Sequence, residues 1–147
     1  MQQAFIFDLD GTLADVHHRL YCVKDAKKDR KRFFDLCDQD EPIQSTIDVL
    51  NNLAKNYYII ILSGRSDAVE KKTKEWLVTH GVQYHKLIMR KANTFTPDNE
   101  LKKIMYEKHI KGKFDVLGIF DDRKRVVDMR RSMWLFVFDV NQTGEDF

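Results

Sequence analysis

The chain has 147 residues, the size of one ordinary domain, and 43% of them are hydrophobic and 33% charged. This balance is typical of a globular protein and argues against intrinsic disorder. The net charge of +2 argues against a uniformly basic surface, so any attraction for polyanions must come from local patches. Because it lacks a secretory signal and a long apolar window, the sequence predicts a cytoplasmic protein without a membrane span. Cys22 and Cys37 lack metal-site spacing and are predicted to be reduced thiols.

The hydrophobic pattern alternates between short apolar runs and longer amphipathic segments. Five apolar runs predict strands: 4–7, 57–62, 82–89, 116–120 and 134–138. Four amphipathic segments predict helices: 43–56 with Pro42 in its first turn, 69–80, 98–110 and 123–132. This alternation predicts right-handed crossovers and an α/β fold with a doubly wound parallel sheet. We expect a single domain over 1–147, in which 13–42 forms a flap or a small helical cap.

Polar clusters follow three of the predicted strands. Asp8 and Asp10 follow the first, 63–65 follows the second, and 121–122 follows the fourth. In doubly wound sheets the binding site lies beyond the carboxyl ends of the strands. We therefore expect these three clusters to converge on one edge of the sheet.

The sequence from Asp8 to Thr12 is the most specific motif. Two carboxylates separated by one residue allow one to attack phosphorus while the other protonates the departing oxygen. Gly11 lets the chain turn so that backbone amides can face a phosphate. The alternative is a simple Asp-Gly turn, but the apolar strand before it and Thr12 and Leu13 after it favour a catalytic loop.

The other two clusters suit a phosphoryl group and a metal ion. The Ser63 hydroxyl and the Arg65 guanidinium can bind phosphoryl oxygens, although a serine-capped turn is the alternative. Asp121 and Asp122 are adjacent carboxylates, which are costly without a compensating cation. Together with Asp8 they predict an oxygen-rich site for Mg²⁺, with a helix N-cap as the alternative.

These motifs resemble, in order, the four motifs of the haloacid dehalogenase superfamily, counting a lysine from the 98–110 helix as the third. The resemblance implies a Rossmann-like core in which Asp8 is phosphorylated and Asp10 is the general acid and base. It implies Mg²⁺ as the cofactor, held among four aspartates: Asp8, Asp10, Asp121 and Asp122.

The chain is also similar, almost from end to end, to the 3′-phosphatase domains of phage-type polynucleotide kinase-phosphatases. The similarity includes 6–14, 62–65, 108–110, 114–116, 121–123, 126–127 and 144–147. It implies that the following residues bind the phosphate: Thr12, Arg19, Ser63, Gly64, Arg65 and Lys102. Asp98 lies one helical turn before Lys102, so its carboxylate can orient the ammonium. From the residues alone, Lys103 and Lys108 compete with Lys102.

The sequence contains no P-loop motif, which the kinase half of such enzymes requires. We therefore expect a phosphatase that is free-standing or excised from a longer chain, with a separate kinase or ligase as a partner.

The segment 24–32 carries a mixed, mainly basic run. It is either a solvated helix face or a strip that guides a nucleic-acid end towards Asp8. Tyr21, Phe33 and Phe34 are candidates for base stacking. His17 and His18 are lesser candidates for contact with the substrate. Trp76, Trp134 and the other phenylalanines are predicted to belong to the core.

The stretches between Asp10 and Ser63 and between Arg90 and Pro97 are too short for a large cap, which predicts an open site. An open site suits the end of a polymer. The predicted function is Mg²⁺-dependent removal of the 3′-phosphate from nucleic-acid ends or nucleoside 3′-monophosphates. The alternatives are a small-molecule phosphatase, such as a 5′-nucleotidase or sugar phosphatase, and a non-catalytic module that binds phosphate or nucleic acid.

Overall fold

The structure is a computed structural model that describes residues 1–24 and 28–144. Its centre is a five-stranded sheet in the order β5-β4-β1-β6-β7, with every neighbouring pair parallel. The strands of this sheet are β1 (Gln2–Phe7), β4 (Tyr58–Ser66), β5 (Lys86–Arg90), β6 (Phe114–Asp121) and β7 (Val137–Asp139). The parallel pairing confirms the predicted α/β fold.

Helices cover both faces of this sheet. The long helices are α3 (Gln44–Leu53), α4 (Glu70–Thr79), α5 (Asp98–His109) and α6 (Lys124–Ser132). Side chains of α3 and α4 form one hydrophobic cluster with one face of β1 and β4, and α5 forms a second cluster with the other face. Residues of both β1 and β4 are almost fully buried on the two faces of the sheet, which explains the continuous apolar runs of these strands. None of the described helices is long and apolar enough to cross a membrane.

The segment after β1 forms a small unit beside the edge of the sheet. Two short strands, β2 (Ala14–Asp15) and β3 (Glu41–Pro42), pair in antiparallel fashion at its base. Between them lie α1 (Tyr21–Lys24), α2 (Arg30–Asp35) and 3₁₀ turns at His17–Arg19 and Cys37–Gln39. A cluster of its own holds the unit together: Val16, Leu20, Cys22 and Phe33. Cys22 and Cys37 are both buried free thiols.

β5 begins at Lys86 rather than at 82, and two further element boundaries differ from the prediction because of pairing across the chain. Pro42 does not begin a helix; it pairs with Ala14 in the β2–β3 ribbon, and α3 begins at Gln44. Such a two-stranded ribbon tolerates proline because each strand has a free edge. Strand β4 runs to Ser66 rather than ending at 62, with an irregularity between Ser63 and Ser66 against β5. Irregularities of this kind re-aim side chains next to functional sites.

The predicted fifth strand, 134–138, is wrong at its start, and Trp134 is not in the core. The amides of Trp134 and Leu135 bond to the carbonyls of Arg131 and Arg130, which closes α6 with the pattern of a Schellman motif. Trp134 takes the left-handed position of this motif, with φ 61°, where glycine is the usual residue. Its side chain is 96% exposed, and β7 begins only at Val137. Phe95, Phe136 and Phe138 are also exposed, against the prediction.

Candidate active site

The carboxyl ends of three adjacent strands, β4, β1 and β6, supply most of the candidate site. Asp8 and Asp10 follow β1, Ser63 and Arg65 lie near the carboxyl end of strand β4, and Asp121 ends β6. Because β1 lies between the other two strands, its loop is flanked on both sides by the polar ends of its neighbours. The predicted convergence of the three clusters on one edge is present.

Three buried carboxylates form an acidic group at this edge. Asp8, Asp121 and Asp122 each offer an oxygen within 4.8 Å of the others. Burial, and then repulsion from Asp121, raises the pKa of Asp8 and raises the pKa of Asp122 to about 6. The cost of holding three carboxylates together is relieved by a hard cation, and carboxylate oxygens are the ligands that Mg²⁺ prefers. The group therefore fits a divalent metal ion.

Lys102 supplies a positive charge within this acidic group. Its Nζ donates to Asp8 Oδ1 at 2.9 Å and to Asp121 Oδ2 at 3.2 Å, and it lies 3.4 Å from Asp98 Oδ2. Burial opposes the charge on Lys102, but the three carboxylates outweigh it and raise its pKa. The side chain of Lys103 is exposed. The structure therefore brings Lys102, and not Lys103, to Asp8, with Asp98 beside it at the predicted helical spacing.

Asp10 points to a different set of charges from Asp8. Its Oδ1 accepts a hydrogen bond from Arg19 Nη2 and another from Arg65 Nε, each 2.8 Å long. Both guanidinium groups are fully buried. Burial would raise the pKa of Asp10, but the two arginines lower it to about 2. The carboxylate of Asp10 thus lies on the arginines rather than in the acidic group with Asp8, in contrast to the four-aspartate set expected from the sequence.

Asp40 completes this second set, and sequence reasoning missed it. Its carboxylate accepts from Arg19 Nε and Nη2, both at 2.8 Å, and from Arg65 Nη2 at 2.9 Å. His18 Nε2 lies 2.6 Å from the same carboxylate, and Trp76 Nε1 donates to the Asp40 carbonyl. Two carboxylates therefore balance two buried guanidiniums. The only signal in the sequence is that buried arginines need partners, and that signal does not choose among the acidic residues of 35–41.

The loop residues of the motif are packed tightly against the carboxylates. A Cβ atom at Gly11, where φ is 81°, would overlap the carboxylate of Asp122, so both the conformation and the space require glycine. A Cβ at Gly64 would likewise overlap Asp98. Thr12 Oγ1 is 3.4 Å from Asp122 Oδ1.

Ser63 and Asp121 also bond to the backbone of their own loops. Ser63 Oγ accepts from the Arg65 amide at 3.0 Å, but the serine that caps the following 3₁₀ turn is Ser66 and not Ser63. Asp121 Oδ1 accepts from the amides of Asp122 and Arg123 at 2.9 and 3.2 Å, and α6 begins without a side-chain cap. These bonds hold both loops in position at the site.

A cavity of about 950 Å³ opens over Asp8, Asp10 and Lys102. One wall comes from the small unit and the other from the 91–97 loop and the start of α6. Seven basic residues line it besides Lys102: Lys24, Lys28, Arg30, Lys31, Arg90, Arg123 and Arg125. Four of these, Lys24, Lys28, Arg30 and Lys31, belong to the basic run at 24–32, of which residues 25–27 lie outside the described part of the chain. The arrangement is suited to a polyanionic ligand.

The parallel sheet, the aspartate loop after β1 and the acidic group with its lysine define a haloacid dehalogenase-type phosphatase. A haloacid dehalogenase-like hydrolase from Streptococcus pneumoniae has the same fold, with a TM-score of 0.62 at 14% identity over 92% of this chain and 83% of its own. Within that class, the family model for the phosphatase domain of polynucleotide kinase PNKP matches residues 2–147. The chain belongs to this family of phosphomonoester hydrolases.

In two relatives of higher identity, the region that matches this chain is part of a longer chain. A protein of Autographa californica nuclear polyhedrosis virus, described as a bifunctional polynucleotide kinase/RNA ligase, is 32% identical over 130 residues, 86% of this chain. A chain of the Pnkp1/Rnl/Hen1 RNA repair complex has a TM-score of 0.80 and 35% identity over 95% of this chain. The present chain spans 17% of the viral protein and 42% of the chain in that complex.

Proposed function

We propose that this protein removes the 3′-phosphate from a nucleic-acid end through an aspartyl-phosphate formed on Asp8. The observation that carries the proposal is the position of Asp8, on the floor of a 950 Å³ cavity with basic residues on both walls. The matching family model and the viral relative are both described as polynucleotide kinases, which supports a nucleic-acid end as the substrate. The proposed substrate is therefore a phosphomonoester at the end of a polymer.

In the proposed first step, Asp8 attacks the phosphorus and the bond to the leaving 3′-oxygen breaks. Lys102, bonded to Asp8 Oδ1, fixes the direction of the nucleophile and offsets charge on the phosphoryl oxygens. Asp8, Asp121 and Asp122 would hold Mg²⁺. When bound, this ion supplies charge stabilisation at the phosphoryl group. Ser63 and the backbone of Gly64 and Thr12 would add hydrogen bonds from the loop edges.

Asp10 is proposed as the general acid and base. The carboxylate needs a proton to protonate the leaving oxygen, whereas its pKa of about 2 keeps it ionised beside Arg19 and Arg65. Arg19 and Arg65 are fully buried and do not line the cavity, so in this proposal they orient Asp10 and do not bind the phosphate. The negative charge of a phosphate at Asp8 opposes the ionisation of Asp10 and so raises its pKa. In the second step the same carboxylate accepts a proton from the water that hydrolyses the aspartyl-phosphate.

The small unit over residues 13–42 is proposed to act as a cap that leaves the cavity open to a polymer. Its basic residues Lys28, Arg30 and Lys31 line one wall, which supports their role in attracting a phosphodiester backbone. A separate or fused kinase or ligase is the proposed partner, by analogy with the relatives. A cytoplasmic location stays a prediction.

A substrate panel tests the proposal. The turnover of a 3′-phosphorylated oligonucleotide, a nucleoside 3′-monophosphate and the matching 5′-monophosphate would be compared at saturating Mg²⁺. The proposal requires the oligonucleotide to have the highest kcat/KM and Asp8→Asn to abolish turnover. The control is Asp115→Asn, an exposed residue in the first half of β6, far along the strand from its catalytic end. A preference for the 5′-monophosphate would favour a small-molecule nucleotidase instead.

A further inference from the structure

The loop at 91–97 holds one aromatic side chain out into the cavity. Phe95 lines the cavity and is 71% exposed, which is costly for a phenylalanine. The loop is anchored on both sides of it: Arg90 Nη1 donates to the Thr96 carbonyl at 2.7 Å and to the Thr94 carbonyl at 3.4 Å. The other end of the loop is fixed by Asp67, whose Oδ1 accepts from the Ala92 amide. The exposure of Phe95 is therefore imposed by a built loop.

A cation from the opposite wall faces this ring. The guanidinium carbon of Arg30, the first residue of α2, lies 5.7 Å from the centroid of Phe95. This distance is within the range of a cation–π contact. The contact joins the cap to the 91–97 loop across the cavity, with a flat aromatic face on one side and a planar cation on the other.

The aromatic residues that the sequence singled out are less available. Phe33 is buried, and the guanidinium carbon of Arg19 lies 4.3 Å from its ring centroid. Phe34 is half-buried and packs edge-on against Phe33. Tyr21 is exposed, but its hydroxyl accepts from Arg32 Nε, and it is not among the residues that line the cavity. Of the aromatic residues that line the cavity, Phe95 has the most exposed ring.

We propose that Phe95 is the stacking platform for the nucleobase at the 3′ end of a single-stranded substrate, and that Arg30, which contacts the ring, moves off it to hold the same nucleotide. The inference rests on the proposed function, because it concerns the nucleotide whose phosphate reaches Asp8. Stacking on an aromatic ring accepts every base, since each has a π face. Arg30 can pair with a phosphate of the same strand or stack on the other side of the base. A base in a duplex must first be unpaired, so single-stranded ends are the better substrates.

The test compares Phe95→Ala with wild type on two substrates, a single-stranded 3′-phosphorylated oligonucleotide and p-nitrophenyl phosphate. The measured quantity is the ratio of kcat/KM for the oligonucleotide to that for p-nitrophenyl phosphate, because the ratio cancels any loss of folded enzyme. Loss of one stacked base predicts a fall in this ratio of about 5- to 150-fold. Phe95→Trp should retain the wild-type ratio, and Phe95→Leu should lose most of it.

A third substrate separates base stacking from a structural effect. On an oligonucleotide whose last 3′-phosphorylated residue lacks its base, wild type and Phe95→Ala should give the same ratio. Trp134→Ala is the matched control, because it removes another exposed aromatic ring outside the cavity. An unchanged ratio for Phe95→Ala, or an equal fall on the abasic substrate, overturns the stacking proposal alone. Wild-type enzyme that hydrolyses p-nitrophenyl phosphate but no 3′-phosphorylated oligonucleotide overturns both proposals.

Discussion

Removing Asp40 should destabilise the protein far more than removing a nearby aspartate from the surface. Asp40 and Asp10 balance the buried guanidiniums of Arg19 and Arg65, and Asp40 accepts three hydrogen bonds from them. Asp40→Ala leaves one of the two fully buried guanidiniums without a compensating negative charge. Breaking a buried ion pair from one side costs about 3–5 kcal/mol, a large share of the roughly 5–15 kcal/mol that stabilises an ordinary domain.

Urea unfolding measures this loss directly. For an m-value of about 2 kcal/mol per M, the midpoint of Asp40→Ala should fall by roughly 1.5–2.5 M with m unchanged. Asp40→Asn keeps the side-chain shape and one acceptor oxygen, so its loss of unfolding free energy reports the missing charge alone. We expect this loss to be at least half as large as that of Asp40→Ala. The matched control is Asp38→Ala, whose carboxylate is 47% exposed and 4.0 Å from Lys72, where about 0–1 kcal/mol is expected.

A cost below about 1 kcal/mol for Asp40→Ala would show that the two guanidiniums do not depend on Asp40 for their charge balance. Equal shifts of the midpoint for Asp38→Ala and Asp40→Ala would show the same. A change in m without a change in midpoint would indicate an altered denatured state rather than a lost ion pair.

Three further changes test the site and the core. Gly11→Ala should reduce kcat/KM by at least tenfold, since the new Cβ displaces the carboxylate of Asp122. The control Gly81→Ala, also at positive φ but in open space, should reduce only stability. Equal activities of the two variants would contradict this. Mg²⁺ at about 100 times its Kd should stabilise the protein by about 2.7 kcal/mol, seen as a rise of roughly 5–10 °C in the thermal midpoint. Asp122→Asn should lose most of that rise, and a full rise would remove Asp122 from the metal site. Ile47→Ala, at a fully buried position of α3, should cost about 2–5 kcal/mol in urea unfolding, and a loss below 1 kcal/mol would contradict its place in the core.

The motif around Asp8 was predictable because its pattern is local. An apolar run followed by two spaced carboxylates and Gly11 encodes a strand end and a tight turn, both of which depend on neighbours in the chain. The choice of Lys102 over Lys103 was different. Helical spacing allowed several lysines, and only the packing of α5 against β4 and α6 selects the face that reaches Asp8.

The predictions at Pro42 and Trp134 were wrong for a similar physical reason. Pro42 is a good first residue of a helix, but pairing with Ala14 outweighs that local preference. Trp134 sits in an apolar run, but the hydrogen bonds that end α6 put it in the left-handed region and turn its side chain to solvent. In both cases a contact outside the predicted segment decided the outcome.

The sequence by itself determined the class of fold, the order of the main strands and helices along the chain, and the place of the aspartate loop at the end of β1, because periodicity and turn residues act over a few neighbours. Only the tertiary structure decided that Asp40 balances the arginines around Asp10 and that Phe95 faces Arg30 across the cavity. Those pairs join segments far apart in the chain. Their contacts follow from how the segment between β1 and α3 and the 91–97 loop pack near the carboxyl ends of the strands, which no local pattern encodes.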